Sequence, residues 1–445
     1  MKNSRRSFLK YSSAALLGAP SLSNLAAAGS SPSVLEQEGS TNAFGDGPIR
    51  LALIGCGGRG TGAASQALTT AGKGMGDVKL VAMADAFSDR LDGSLAQLTD
   101  GHAGQVDVPE DRRFTGFDAY KRAMEQDVDM VILATPPGFR PMHFEHAVSL
   151  GKHVFMEKPV AVDGPGVRKV LKAAEAAKRA GLKVGVGLQR HHQQRYLETI
   201  GRIHDGAIGE LTLLRCYWNS SGVWVRPREV GQTEMTYQMR NWYYFNWLCG
   251  DHITEQHIHN LDVCNWIAGD YPVEAQGQGG RQVRTGIDHG EIFDHHMVEY
   301  TYASGLKMLS QCRHIPGSSS SVSEHAHGTR GTANIGAGRI DSKGGWSWRF
   351  REEEANPYQV EHDELFAAIR TGAAYNEAEN GAKSTMTSIL GRMATYSGQT
   401  VTWEDAIASQ LDLSPAIYGF GAEPPVLPDA DGRYPIPTPG VTRAL

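Results

Sequence analysis

From Ile49 onward, short apolar runs rich in β-branched residues alternate with longer segments whose apolar positions recur every three or four residues. The runs fall at 49–54, 78–84, 128–134, 153–156 and 182–187. Short and apolar throughout, they predict strands of a parallel sheet covered by helices on both faces. The amphipathic segments 139–150 and 164–180 are long enough to be crossover helices, so this part of the chain predicts a βαβ succession. After Gln189 the texture changes. Residues 196–204 predict a helix, 211–218 an alternating strand and 251–268 a further helix. Alternating strands at 298–302 and 306–311 flank a hairpin turn at Ala303-Ser304-Gly305. Such alternation belongs to a mostly antiparallel sheet with one face buried. A helical pair at 359–370 and 381–398 precedes a Pro-rich tail from Leu413, expected to run extended over the surface.

The first 48 residues differ. Arg5 and Arg6 form an adjacent pair followed by Phe8, Leu9 and Lys10, then an apolar stretch at 14–17 and a small-residue site at Ala26-Ala27-Ala28. Residues 1–28 therefore read as a twin-arginine export signal, and the polar, Gly/Ser-rich stretch 29–48 as a flexible linker. The apolar run is too short for a hydrocarbon core of about 30 Å, and no later segment offers the roughly 20 apolar residues that a spanning helix needs. The expected location is periplasmic or secreted, reached through the twin-arginine machinery. That route moves folded proteins, so a cofactor can travel inside.

The signal holds four of the 43 basic residues and none of the 49 acidic ones, leaving a formal balance of −10 for the rest. An acidic, mixed-sign surface argues against nucleic acid as a partner. The five cysteines are odd in number, lack CxxC spacing and sit in apolar contexts, which marks them as core residues and not as a disulfide frame or zinc ligands.

The first apolar run leads into Gly55-Cys56-Gly57-Gly58-Arg59-Gly60, a G-x-G-x-x-G between a predicted strand and a predicted helix, and Asp85 closes the second strand. Gly55 permits the tight turn, Gly57 lets backbone approach a pyrophosphate, and Gly60 allows close helix packing, while the helix N-terminus faces the phosphates. Asp85 lies farther along than the usual interval of about 20 residues, the excess absorbed by the Gly-rich loop 71–76. A carboxylate there accepts ribose hydroxyls and repels a 2′-phosphate, favouring NAD over NADP. The fold class expected is α/β. It comprises an N-terminal Rossmann dinucleotide-binding domain over 49–190, an α+β domain with an open, mostly antiparallel sheet over 191–410, and a Pro-rich tail over 411–445.

Further motifs follow in order: Ala134-Thr135-Pro136-Pro137, then Glu157-Lys158-Pro159, Gly206-Ala207-Ile208-Gly209-Glu210, Glu255-x3-His259-x2-Asp262, and Gly328-Thr329-x-Gly331-Thr332. With the glycine loop, this set resembles the Gfo/Idh/MocA family, the glucose-fructose oxidoreductase and inositol dehydrogenase group. The resemblance covers nearly the whole chain beyond the signal. It implies a substrate cleft between the two domains, with Lys158 beside the nicotinamide and Glu255 and His259 completing the acid/base set. Arg90, Thr135, Pro136 and Glu157 join Gly55, Gly57, Gly58, Arg59, Gly60, Asp85 and Lys158 as expected cofactor contacts. Three departures stand out: Glu255 where aspartate is usual, Arg140 where a histidine often follows the Thr-Pro turn, and His257 where glycine is common.

On one continuous helix, His252, Glu255, His259, Asp262 and Trp266 would fall within about 80° of each other, an ionisable face suited to a cleft. Oxidising a secondary alcohol needs a base for the hydroxyl proton while hydride leaves the carbon. The expected division has His259 taking the proton, Glu255 holding its tautomer and Lys158 orienting the hydroxyl and the nicotinamide, with Lys158 as the alternative base. Arg190 and His191 at the domain junction, Tyr243 in the aromatic stretch 224–247, His252 and Asp262 are expected substrate contacts. The expected activity is hydride transfer between tightly bound NAD and a sugar, glycoside or polyol by a homo-oligomer. The alternative is a glycosidase cleaving by oxidation, elimination and reduction. A metal site built from His252, Glu255, His257 and His259, with Asp294, His295 and His296, is not expected, because His257 would point away from the shared face.

Overall fold

The computed structural model describes residues 47–74 and 76–445. The expected export signal and nearly all of the expected linker lie outside the described residues.

Six strands form the first sheet: β1 (Ile49–Ile54), β2 (Val78–Asp85), β3 (Arg113–Thr115), β4 (Met130–Leu133), β5 (His153–Met156) and β6 (Val184–Val186). All are parallel, in the order β3-β2-β1-β4-β5-β6. This is the Rossmann order, whose direction of winding reverses between β1 and β4, and ligands bind at the carboxyl ends of strands around such a switch. Every side chain of β4 is buried, in keeping with helices on both faces.

The second sheet has nine strands: β7 (Leu211–Ser220), β8 (Pro272–Gly280), β9 (His295–Tyr302), β10 (Lys307–His314), β11 (Ser321–Gly328), β12 (Gly331–Asn334), β13 (Arg339–Ser342), β14 (Ser347–Arg349) and β15 (Val401–Thr402). Their order is β14-β13-β12-β11-β7-β10-β9-β8-β15, antiparallel except where β7 pairs with β10. Alternate residues of β10 are buried, so one face of the sheet is covered. The β9–β10 hairpin turns at Gly305, whose φ of 84° suits glycine.

The helix Ala378–Ser397 joins the two parts. Nearly all its residues are buried, as befits a helix enclosed on every side. It packs on the second sheet, and it ties down the loop after β5: the Val160 amide donates to Thr385 Oγ1 at 3.2 Å, and Arg392 Nη2 donates to the Val162 carbonyl at 2.6 Å. Lys158 sits in that loop, joined to Pro159 by a cis peptide bond.

Two expectations need correction. The helix expected over 251–268 starts after Asp251, which has φ 70°, ψ 162°, and is interrupted at Gln256 and His257 into His252–Glu255 and Ile258–Ala268, with Gln256 stretched to φ −110°. The single ionisable face therefore does not exist as one stripe. The tail from Leu413 has no regular secondary structure, yet it does more than lie on the surface. Phe420 packs on Phe87 and Phe117 at 5.5 and 4.9 Å, and Tyr434 is buried edge-on against Phe245 at 4.9 Å. All five cysteines are unpaired and buried, and no helix among the described residues is long and apolar enough to cross a membrane.

Candidate active site

The glycine loop follows directly from β1. Gly55 has φ 96°, and a Cβ there would lie 2.5 Å from the Thr135 nitrogen; one on Gly60 would lie 1.9 Å from the Gly55 carbonyl oxygen. These two glycines let the loop and the helix Gly58–Thr69 close on the ends of β1 and β4. At Gly57 and Gly58 an added Cβ meets nothing, because these residues border open space. The Asp85 carboxylate accepts the Cys56 and Phe87 amides at 2.6 and 2.9 Å, locking the loop to β2, and burial raises its pKa. Gly55, Gly57, Gly58, Arg59, Asp85, Arg90, Thr135 and Pro136 line one cleft of about 390 Å³. The opposite wall is Trp224, Arg226, Met239, Arg240 and Trp242 of the second part of the chain. A backbone cradle without side chains, beside a helix N-terminus and a strand-terminal carboxylate, fits a dinucleotide.

On the same sheet edge, two residues past β5, Lys158 Nζ donates to the Glu255 carbonyl at 2.6 Å and to Glu255 Oε1 at 3.1 Å. Both side chains are largely enclosed. Burial raises the Glu255 pKa against the opposing pull of Lys158. Glu255 thus steadies Lys158, and not the tautomer of His259, whose Nδ1 has no partner; the helix break turns the two residues apart. The His259 ring lies beneath Trp218 at 6.0 Å, and burial, reinforced by the Lys158 and Arg190 cations, pushes its pKa well below the usual histidine value. It is neutral near pH 7.

Residues 49–188 match the Gfo/Idh/MocA oxidoreductase family with its NAD-binding Rossmann fold, and residues 196–334 match that family's C-terminal domain, together more than half of the chain. The chain belongs to the Gfo/Idh/MocA family. The inositol 2-dehydrogenase of Rhizobium meliloti (strain 1021) is 26% identical over 261 residues, 59% of this chain and 67% of that one. The inositol 2-dehydrogenase of Klebsiella pneumoniae (strain 342) is 30% identical over 183 residues, 40% of this chain and 46% of its own length, so the match spans under half of that relative. Among solved structures, the aldose-aldose oxidoreductase of Caulobacter crescentus complexed with glycerol superposes with a TM-score of 0.62 at 20% identity, over 80% of this chain and 99% of that one. The myo-inositol 2-dehydrogenase of Lactobacillus plantarum gives 0.60 at 18% identity over the same shares. At such identities these two structures establish a shared fold.

Within this family site, the remaining expected residues divide. His191 stays at the domain junction, stacked on Trp266 at 4.3 Å, with Nε2 2.8 Å from Asp262 Oδ2. Burial opposes its protonation, but the Asp262 carboxylate prevails and raises its pKa. Asp262 is buried and also accepts from Ser384 at 2.7 Å, so it positions His191 instead of touching substrate. Glu157 is buried and paired with Arg59, backing the cleft without lining it. Tyr243 is buried among aromatic neighbours, with its hydroxyl close enough to the Glu255 carboxylate to oppose the rise in that group's pKa.

Arg190 and His252 need correction. Arg190 is buried against Glu324, which also accepts Asn260 Nδ2 at 2.6 Å and the Tyr196 hydroxyl at 3.2 Å, so its guanidinium is committed to the interior. Replacing Glu324 with leucine leaves that cation buried and unpaired; a loss of about 3–5 kcal/mol in unfolding free energy is expected by chemical denaturation. His252 is fully buried, stacked on His314 at 4.3 Å, and does not line the cleft.

The stretch 224–247 does wall the cleft, through Trp224, Arg226, Arg240 and Trp242, but the partners of two arginines were not legible in the sequence. Arg140, one of the departures from the family pattern, is fully buried: Nε donates to the Glu157 carbonyl at 3.0 Å, and Nη2 to the Thr135 carbonyl at 2.6 Å. Burial pulls its pKa down to about 10. It staples the turns after β4 and β5, the two that carry Thr135 and Lys158. Arg240 pairs through both terminal nitrogens with Asp89, each at 2.7 Å, and lies 3.8 Å over the Phe87 ring, a clasp across the cleft rim. Nothing in local periodicity reports such long-range partners.

Proposed function

We propose that this protein is an exported oxidoreductase that moves hydride between a retained NAD and a CH–OH carbon of a sugar, glycoside or polyol. The observation that carries the reading is the Lys158–Glu255 pair, one residue from each part of the chain, just past the end of β5, with a neutral His259 on the helix Ile258–Ala268 near enough to feel the Lys158 charge; the three do not themselves line the cleft of the glycine loop. Bound NAD supplies the hydride acceptor. Lys158, anchored by the Glu255 carbonyl and carboxylate, orients the substrate hydroxyl. His259 takes the hydroxyl proton, a task suited to an imidazole that is unprotonated at working pH. Trp218 offers the sugar an apolar surface next to that base. The polyol class is supported by two relatives named as inositol 2-dehydrogenases.

Asp85 underlies the preference for NAD. The Cys56 and Phe87 amides bond different oxygens of Asp85, so Asp85→Asn keeps an acceptor for one of them and removes the charge; it is expected to shift the NADP-to-NAD affinity ratio at least about 10-fold toward NADP, roughly 1.4 kcal/mol. An unchanged ratio in nucleotide titrations would remove Asp85 from this role.

Retention of the cofactor is supported by the Arg240–Asp89 clasp and by Phe420 of the tail packed on Phe87 and Phe117, all at the cleft rim. Phe420→Ala is expected to speed nucleotide release about 10-fold, read by stopped-flow exchange; a rate equal to that of the parent chain would show that the tail is no latch. Export is supported by Arg5 and Arg6. Changing both to lysine is expected to leave the protein in the cytoplasm on fractionation. The proposed reaction class is tested by product analysis: keto-sugars should form from sugars or polyols, whereas release of reducing ends from aryl glycosides without keto products would indicate the redox-neutral glycosidase instead.

A further inference from the structure

A second cluster of ionisable side chains lies behind the Lys158–Glu255 pair. Asp251 is the only non-glycine residue with positive φ among the described ones, and strain of this kind persists where the surroundings demand a particular side-chain direction. Its Oδ1 lies 3.3 Å from His296 Nε2 and 3.8 Å from His252 Nε2, and the three atoms are all within 4.8 Å of one another. None of the three residues is more than 3% exposed.

What distinguishes this cluster from an ordinary ion pair is the unmet demand on its nitrogens. Neither ring nitrogen of His252 has a hydrogen-bond partner, and His296 Nε2 has only the Asp251 carboxylate, 3.3 Å away. A buried polar group left without a partner costs about 1–3 kcal/mol. Protonating His296 to pair with Asp251 would satisfy one of these nitrogens and leave both of those on His252 unmet. A cation accepting the Nε2 lone pairs of both rings and the carboxylate satisfies the converging atoms together.

The surroundings are built to aim them. His296 Nδ1 is held by Thr395 Oγ1 at 2.9 Å, which leaves Nε2 facing the cluster. Asp251 Oδ2 accepts the Phe293 amide at 3.0 Å and the Tyr396 hydroxyl, which leaves Oδ1 facing inward beside the His252 amide. Outer hydrogen bonds of this kind orient the ligands of metal sites. The 3.3 Å edge between Asp251 Oδ1 and His296 Nε2 equals the separation, about 3.3 Å, of two ligands at about 2.0–2.1 Å on a tetrahedral ion. The two rings are inclined at 63° with centroids 4.9 Å apart, so they approach the common point from different directions.

We propose that Asp251, His252 and His296 bind one divalent transition-metal ion suited to two imidazoles and a carboxylate, of which Zn²⁺ is the probe. This departs from the expectation of no metal, and the ligand set also differs from the one weighed on the sequence. Glu255 is taken by Lys158, His257 by Ser310 at 2.7 Å, and His295 by Asp294 at 2.7 Å, while His259 is not among the converging residues, so of that set only His252 and His296 remain. The ion ties the segment leading to Glu255 onto β9. Its role is structural and does not depend on the proposed hydride transfer.

The full chain, stripped with a chelator and desalted after exposure to Zn²⁺, is expected to hold one ion per chain by elemental analysis and to melt at a higher temperature than the stripped form. Co²⁺ in its place should give the intense visible absorption of a low-coordinate site. His296→Gln and Asp251→Asn should each hold less than about a tenth of an equivalent, lose the absorption and show no thermal shift, with bound nucleotide unchanged. A parent chain that holds less than about a tenth of an equivalent of Zn²⁺ and gives no Co²⁺ absorption overturns the proposal, whether or not the variants fold. So do folded variants that bind as well as the parent.

Discussion

Replacing Lys158 with methionine is expected to lower kcat about 10³-fold while the protein keeps its nucleotide, within the range general acid–base groups contribute. Methionine matches the unbranched apolar stem but has no cation to donate to the Glu255 carbonyl and carboxylate. Two things are lost together: the donor proposed to position the substrate hydroxyl, and the partner that offsets the burial of Glu255. Lys158→Arg should recover only part of the rate, because a planar fork cannot reproduce a point charge that serves two oxygens of one residue. The effect is read in a single turnover as reduced nicotinamide absorbance. A kcat within about 10-fold of the parent would move the chemistry away from Lys158.

Gly60→Val should have the second largest effect, on folding and cofactor binding together. The first atom of the new side chain would stand 1.9 Å from the Gly55 carbonyl oxygen and 3.1 Å from Ala134 Cβ, and the first of these neighbours is backbone that cannot swing aside. Loop and helix must part, with an expected loss of more than about 3 kcal/mol, at the upper end of overpacking penalties, and of most bound nucleotide. Gly62→Ala provides the contrast two residues along the same helix. Its Cβ meets only Arg59 Nη1 at 3.5 Å, so a gain of about 0.5–1 kcal/mol is expected. Thermal unfolding and nucleotide released on denaturation check both. Equal stability of the two variants would contradict the packing argument.

Five strands of the first sheet were legible because their signals are local; the sixth, β3, is a short edge strand with no apolar run and was not read. Strands covered on both faces read as unbroken apolar runs, and the glycine loop, Asp85 and the Thr135 turn each follow the strand that positions them. Much of the second sheet was hidden for physical reasons that can be named. β8 carries Gly277, Gly279 and Gly280 after Pro272, all poor strand formers. In β11 the fully buried Glu324 breaks the expected pattern, since its charge is balanced by Arg190, more than a hundred residues away. The helix over 251–268 failed for a third reason: periodicity assumes a continuous backbone, and the residues at 256 and 257 give no sign that the phase resets. The consequence reaches the site, where Glu255 turns to Lys158 and His252 turns to Asp251 and His296. The departure at Arg140 was visible, but its meaning required knowing that two turns come within reach of one guanidinium.

The most direct measurement takes the full chain as purified, with no nucleotide added, and follows absorbance while sugars and polyols are supplied one at a time. Close to one NAD per chain, released on denaturation, and a single turnover of reduced nicotinamide on meeting a suitable hydroxyl compound are the predicted results. A protein that emerges without nucleotide and binds none when it is offered would contradict the account at its root.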